Sequence, residues 1–353
     1  MSTSEEIIQV REAQRFDEQA LVEYLRDKLP GISEGLAVRQ YGYGQSNPTF
    51  LISGKDKAYV LRKKPPGKLL PSAHAVDREY RILTALHQTD VPVPKTLLLC
   101  QDDGIIGTPF YVMEQVQGRI FRDPTAPELS DSRERAAIFD AMNDTLARIH
   151  SQDWKALGLT DFGKPGNYME RQVSRWARQY QASKTSEIDS MNQLIHWLQE
   201  HIPDDDSSTI VHGDFRLENL ILHAAEPRVL AVLDWELSTL GHPLADLAYN
   251  CMAYYIPAMG GNRSGYLGLD LKGMGIPSED EYVAAYCRRT GRQEIPSWTF
   301  FMAFSMFRLA AIVQGVYKRG LDGISSSDKA TTYGSHVKYL SDVAWQLVLN
   351  GKT

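Results

Sequence analysis

Two short apolar runs constrain this chain more than any other feature. Residues Ile210 to Asn219 read IVHGDFRLEN, and Val229 to Glu236 read VLAVLDWE. Each opens on aliphatic and β-branched residues, the pattern of a buried strand. Each then delivers polar side chains to one end. The first delivers Asp214 and, five residues later, Asn219; the second delivers Asp234. Two carboxylates and a carboxamide arriving from neighbouring strand ends can hold Mg²⁺ against a polyphosphate and still spare one carboxylate as a base.

His212-Gly213-Asp214, four residues, then Asn219 is the spacing of a kinase catalytic loop, with His-Gly-Asp in place of His-Arg-Asp. Asp234 falls fifteen residues beyond Asn219, where kinases set a second metal-binding Asp. The stretch resembles the aminoglycoside phosphotransferase family, whose signature is HGDxxxxN followed by a strand-borne Asp. Its longer wording, HGDFRLENLILH then VLAVLDWELSTLGHPLADLAYN, resembles one branch in particular. That branch includes the kinase-like domain fused to some acyl-CoA dehydrogenases.

The resemblance implies an α+β, protein kinase-like bilobal fold: a small five-stranded antiparallel N-lobe with one helix, and a large, mainly helical C-lobe. Residues 1–33 are expected to form a tail and a helix, 34–116 the nucleotide-binding N-lobe, and 117–353 the C-lobe with the catalytic loop and substrate pocket. It also implies Asp214 as the base, Asn219 and Asp234 as Mg²⁺ ligands, ATP as donor with GTP left open, and a small-molecule hydroxyl as acceptor.

The rest of the chain reads consistently with that expectation. At 353 residues, 43% hydrophobic and 23% charged, it can bury a large core. A net charge of −6 gives no general attraction to nucleic acid. Cys100, Cys251 and Cys287 form no CxxC, so buried free thiols in a reducing cytoplasm are expected. The opening MSTSEEIIQVREAQ is polar and acidic, unlike a signal peptide. Residues up to about 14 show no periodicity and read as a mobile tail. Trp298 to Val316 is long and apolar but carries Arg308 and Gln314, so it reads as a buried helix, not a membrane span. Asp17 can cap a helix bearing Leu21, Val22, Leu25 and Leu29. A three-strand meander follows, then a helix over Ala73 to His87, two more strands, and a hinge at Gln117-Gly118. Helices dominate thereafter.

Further site candidates depend on position. An isolated Asp more often caps a turn; within the full motif Asp214 reads as a base. His212 reads as a loop brace, and Asp246, in HPLADLAY, as a brace tying a helix start to that loop. The family often has Asp where this chain has His242. The turn YGYGQSN can lay amides over phosphate, with Ser46 and Asn47 as contacting side chains; an ordinary hairpin turn explains it equally well. Arg62 falls where the family has a phosphate-binding Lys, and Glu79 where a helix Glu pairs with it. Lys63 can replace Arg62 only if the strand register slips. Met113 to Val116, with Glu114 and Val116 offering backbone groups, is the expected adenine-contacting segment. Arg308 is expected to pair with an internal carboxylate rather than with an anionic substrate.

No APE motif follows Asp234, and there is no room for an activation segment, which disfavours a protein kinase. Polycationic aminoglycosides want an acidic pocket, yet the C-terminal helices carry Arg288, Arg289, Arg292, Lys318 and Arg319. The branch resemblance points instead to a hydroxyacyl or CoA-linked acceptor and a functional link to an acyl-CoA dehydrogenase. A nucleotide-binding pseudokinase and an aminoglycoside- or choline-type kinase are the alternatives.

Overall fold

A computed structural model of the chain describes residues 7–32, 36–42, 47–65, 75–258, 265–323 and 330–351. Strand β1 (Ile7–Ile8) leads to helix α1 (Glu18–Leu25) and a meander of β2 (Ala37–Tyr41), β3 (Thr49–Ser53) and β4 (Ala58–Lys63). Helix α2 (Val76–Leu86), β5 (Thr96–Cys100), the single turn α3 (Asp103–Ile106) and β6 (Phe110–Glu114) complete the small lobe. Its strands pair antiparallel in the order β1-β2-β3-β4-β6-β5. The sheet therefore gains a sixth strand from the segment read as a loose tail: Ile7 and Ile8 pair with Tyr41 and Gln40. Two residues are too few to register as alternation, so only the distant partner reveals them.

Alternation along β4 gives the lobe two faces. Tyr59 and Leu61 join Phe50, Ile52, Phe110 and the α1 residues Leu21 and Leu25 in one core. Val60 and Arg62 turn the other way, toward α2 and the large lobe. Helix α1 starts at Asp17, whose carboxylate accepts from the Ala20 amide at 2.9 Å.

The large lobe comprises α4 (Ser132–His150), α5 (Tyr168–Ser183), α6 (Asp189–Glu200), β7 (Thr209–Val211), β8 (Leu220–Leu222), β9 (Val229–Val232), β10 (Thr239–Gly241), α7 (Pro243–Cys251), α8 (Leu271–Met274), α9 (Glu279–Thr290), α10 (Trp298–Leu321) and α11 (Gly334–Leu349). Its strands form two separate hairpin-like pairs, β7 with β10 and β8 with β9. The strands that deliver Asp214 and Asp234 are thus not bonded to each other as a sheet. Among the described residues, α10 is the one helix long and apolar enough to cross a bilayer. Here it is the core helix, burying Phe300, Phe301, Phe304 and Phe307 and packing on α5, α7 and α11. All three cysteines are buried free thiols.

Helix α7 begins at His242 and Pro243. The His242 ring takes the usual Asp or Asn role: its Nδ1 accepts from the Leu244 amide at 3.2 Å. The ring is 1% exposed, stacked on Phe301, with Asp205 3.3 Å from Nε2. Burial pushes its pKa down from 6.5 to about 4, against the pull of Asp205. The unfolded chain protonates this ring near pH 6.5 and the folded one does not until about pH 4. Its contribution is therefore full above pH 6.5 and lost as pH falls toward 4, about 3 kcal/mol in all. His242→Asn, which caps without titrating, is expected to flatten the rise in urea midpoint between pH 4.5 and 7; an unchanged slope refutes the assignment.

Candidate active site

Beyond β7 the chain turns at Gly213, whose φ of +83° suits glycine and whose added Cβ would lie 2.9 Å from the Leu237 carbonyl. One face of α7 grips this turn residue by residue. Asp246 accepts from the His212 amide through Oδ2 (2.6 Å) and from the Gly213 amide through Oδ1 (2.9 Å). One turn on, the Tyr249 phenol donates to Asp214 Oδ1 at 2.6 Å, and Asn250 Nδ2 donates to the Phe215 carbonyl at 3.1 Å. Positions i, i+3 and i+4 share a helix face, so three side chains hold four consecutive loop residues. Behind Asp246 lies a relay: the Tyr286 hydroxyl is 2.7 Å from His150 Nδ1, and His150 Nε2 is 3.3 Å from Asp246 Oδ2. Burial alone would push the Asp246 carboxyl up; His150 and the His212 amide outweigh it and hold it below the ordinary range.

Two bonds place Asp234 beside this loop. His212 Nε2 donates to the Leu233 carbonyl (2.8 Å), and the Leu233 amide donates to the Asn219 carbonyl (2.8 Å). Since the Asp214 amide donates to His212 Nδ1, both ring nitrogens are engaged and the ring is a brace, as its position implied. Asp234 itself has φ +66° and ψ +55°, a conformation a non-glycine residue holds only when its surroundings impose it. Asn219 Nδ2 donates to the Asp214 carbonyl (2.8 Å) and to Asp214 Oδ2 (3.1 Å), leaving its carbonyl oxygen for a cation.

Arg62 crosses from the small lobe to this site. Its Nε lies 3.1 Å from Glu79 Oε2 and its Nη2 2.5 Å from Asp234 Oδ1, with Glu236 3.9 Å away. Burial raises the Glu79 carboxyl against the pull of Arg62. Burial would also raise Asp234, but there Arg62 prevails and the carboxyl stays below its ordinary value. Carboxylate oxygens of Glu79, Asp234 and Glu236 lie within 4.8 Å of one another, an oxygen-rich corner suited to a hard divalent ion once the Arg62 charge is shared with phosphate.

Other expected contacts are placed differently. Asn47 does not have its side chain free for phosphate: its Nδ2 donates to Glu79 Oε1 at 3.1 Å, and Tyr111 donates to Glu79 Oε2 at 3.0 Å. Asn47 thus buttresses the carboxylate that holds Arg62. Ser46 lies outside the described residues. Lys63 faces the opposite core, near the Phe16 and Phe50 rings, so the register does not slip. Glu114 and Val116 line the cleft with Val60, Met113, Ile120 and Ile221. The Glu114 amide donates to the Lys95 carbonyl, whereas the Val116 backbone makes no hydrogen bond among the described residues. Gly118 lets the hinge pass: an added Cβ would lie 2.3 Å from the Leu222 carbonyl.

Among the described residues, Arg308 meets no carboxylate. Its Nη2 donates to the Gly213 carbonyl at 3.2 Å, and its guanidinium lies over the Trp176 and Tyr249 rings. The basic residues invoked against aminoglycosides are partly internal: Arg289 pairs with Asp140, Arg292 approaches Asp205, and Lys318 pairs with Asp322. Charges neutralised in this way say little about the charge of a substrate. Tyr249 and Asn250 were missed, although their spacing from Asp246 in an otherwise apolar helix was a readable signal.

The two lobes, the cleft between them and the braced loop define a protein of the kinase-like fold class. Residues 37–297 match the model of the phosphotransferase enzyme family, APH, and the chain belongs to that aminoglycoside phosphotransferase family. It is 50% identical over 337 residues to acyl-CoA dehydrogenase family member 10 of Mus musculus, covering 95% of this chain and 31% of that protein. The chain thus spans about a third of that relative's length. A crystal structure from Ralstonia eutropha JMP134, provisionally named an aminoglycoside phosphotransferase, is 46% identical with a TM-score of 0.87, covering 96% of this chain and 100% of that one. A thermostable mutant of aminoglycoside phosphotransferase APH(4)-Ia, solved with ADP and hygromycin B, shares the fold at 15% identity and a TM-score of 0.61, covering 94% and 98%.

Removing the Asp246 carboxylate leaves two buried amides unpaired. Asp246→Ala is therefore expected to lower unfolding free energy by about 3 kcal/mol or more in urea titrations, with Asp246→Asn in between. An Ala variant as stable as the parent would mean the loop does not depend on this grip.

Proposed function

We propose that the chain is a Mg²⁺- and ATP-dependent small-molecule kinase. The observation that carries this is the meeting of Asp214, Asn219 and Asp234 at one cleft, with Arg62 and Glu79 opposite. Asn219 and Asp234 would hold Mg²⁺, with Glu236 beside them; bound there, the ion would neutralise charge on the phosphates. Arg62 would turn toward the phosphates, and the apolar walls around Val60, Met113 and Ile221 would take the base, with the Val116 backbone at its edge. Asp214, oriented by Tyr249 and Asn219, would accept the proton of the acceptor hydroxyl.

For the acceptor we propose a hydroxyacyl or CoA-linked metabolite, with a functional link to an acyl-CoA dehydrogenase. The support is the likeness to the acyl-CoA dehydrogenase family members. Labelled ATP and a panel of hydroxy acids, hydroxyacyl-CoA thioesters, choline and aminoglycosides test both levels. Phosphoryl transfer to none of them would overturn the kinase reading; transfer to choline or aminoglycosides alone would overturn the acceptor. Asp214→Ala is expected to lower kcat by about 10²–10⁴ while leaving ATP affinity within a few-fold; unchanged turnover would remove Asp214 from the role of base.

A further inference from the structure

One face of α5 carries a charge pattern that the chemistry at Asp214 does not use. Arg171, Arg175 and Arg178 recur at i, i+4 and i+7 and so share a stripe of the helix. With Lys164 from the preceding loop they line an open cavity of about 620 Å³. Among the described residues its lining sets these four cations against one carboxylate, Glu170. The nearby Asp206 is engaged by the Asn167 amide. Such a concentration of positive charge runs against a chain whose net charge is −6.

Like charges one turn apart weaken a helix unless something neutralises them. Arg175 and Arg178 are exposed, and among the described residues neither pairs with a carboxylate. Arg171 is held differently. Its terminal nitrogens donate to the Gly166 and Lys164 carbonyls, which ties the Lys164 loop to the helix.

A run of contacts leads from this cavity to the base. The Trp176 ring lies 5.6 Å from the Arg175 guanidinium and 5.6 Å from that of Arg308. Its Nε1 donates to Gln172, another residue of the cavity wall, at 3.2 Å. Arg308 lies over Tyr249, whose phenol donates to Asp214. Burial pushes the Tyr168 phenol up and Asp246 adds to it, while Arg308, Arg175 and Arg171 pull the other way. One phenol thus feels cations from both the cavity and the catalytic loop.

Clustered guanidiniums in a concave site suit phosphate, which they can grip bidentately. The donor phosphates belong in the cleft lined by Arg62 and Asp234, so a polyanion in this second cavity belongs to the other substrate. Trp176, Arg308 and Tyr249 stand between Arg175 and Asp214, too much for a short phosphorylated metabolite to span. Coenzyme A carries its phosphates at one end and its acyl group at the other, on a long thin arm. We propose that Lys164, Arg175 and Arg178 bind the phosphate groups of a coenzyme A thioester acceptor, whose arm passes Trp176 toward Asp214. Arg171 is the positioning residue that holds the Lys164 loop. This rests on the CoA-linked acceptor reading and adds to it a site for the end of the molecule remote from the hydroxyl.

The test is a binding measurement. The purified full chain, with ADP and MgCl₂ filling the donor cleft, is titrated by calorimetry with coenzyme A, dephospho-coenzyme A and inorganic phosphate. The parent is expected to bind coenzyme A about tenfold or more tighter than either of the others, and less tightly as salt is raised. Reversing two charges, Arg175→Glu with Arg178→Glu, is expected to weaken coenzyme A binding by about tenfold or more and leave ADP affinity within a few-fold. Arg175→Lys with Arg178→Lys should lose less, since the charge stays and only the fork goes. Arg175→Ala with Arg178→Ala guards against a folding defect in the reversed pair, and melting temperatures are measured alongside. If the Glu and Ala pairs bind coenzyme A as the parent does, coenzyme A sits elsewhere; the proposal falls and the acceptor reading stands. If the parent binds ADP but no coenzyme A, the CoA-linked acceptor and the proposal fall together. If inorganic phosphate binds as tightly as coenzyme A, the cavity holds small anions without selecting this acceptor, and the proposal falls.

Discussion

A single buried carboxylate holds the His212–Phe215 loop in shape. Asp246 is 3% exposed, and a charge so placed is tolerated only with its oxygens fully occupied. Two backbone amides and a histidine occupy them. The arrangement fixes His212 and Gly213, and Tyr249 and Asn250 fix the two residues that follow. His212 then reaches across to the Leu233 carbonyl and sets the start of the second acidic segment. Asp214 and Asp234 stand in register although no sheet bond joins their strands. Their register is made by the His212 ring together with the Leu233–Asn219 backbone bond that extends the β8–β9 pair.

Across the cleft, Arg62 ties together three elements: its own strand, the Glu79 helix and Asp234 of the large lobe. A guanidinium can bridge two carboxylates in fixed directions, which an ammonium on the same stem does less well. Asn47 and Tyr111 then spend their hydrogen bonds on the Glu79 carboxylate, so it can stay in place against the cost of burial. The consequence is a preformed polar seam beside an apolar core that runs from α2, β4 and β6 into the large lobe, while the outer face of the small lobe keeps a core of its own.

Much of this was legible because the informative residues lie close in sequence. HGDxxxxN, then an Asp at a strand end, encodes a loop geometry in eight residues and one interval. The helices were readable from 3.6-residue periodicity, and Asp17 marked a cap that the structure uses. What stayed hidden depends on partners far along the chain. Nothing in Ile7-Ile8 announces Tyr41 and Gln40, and nothing near Asn47 announces Glu79. Arg308 shows the limit most clearly. Its pattern correctly marked a charge in an apolar helix, but the inference of a carboxylate partner failed because aromatic faces and a carbonyl serve instead. The cationic residues of the C-terminal helices misled for the same reason: charge is visible in sequence, its neutralising partner is not.

The position of α10 in the chain carries a consequence for synthesis. This helix fills the space between α5, α7 and α11, yet it emerges from the ribosome after α5 and α7. Until it arrives, the apolar undersides of the earlier helices have no cover, and neither does α10 itself while α11 is still to come. Domains generally fold as they are completed, N-terminal parts first. Here the outer core of the small lobe can settle early, whereas the large lobe closes only once α10 and α11 have followed.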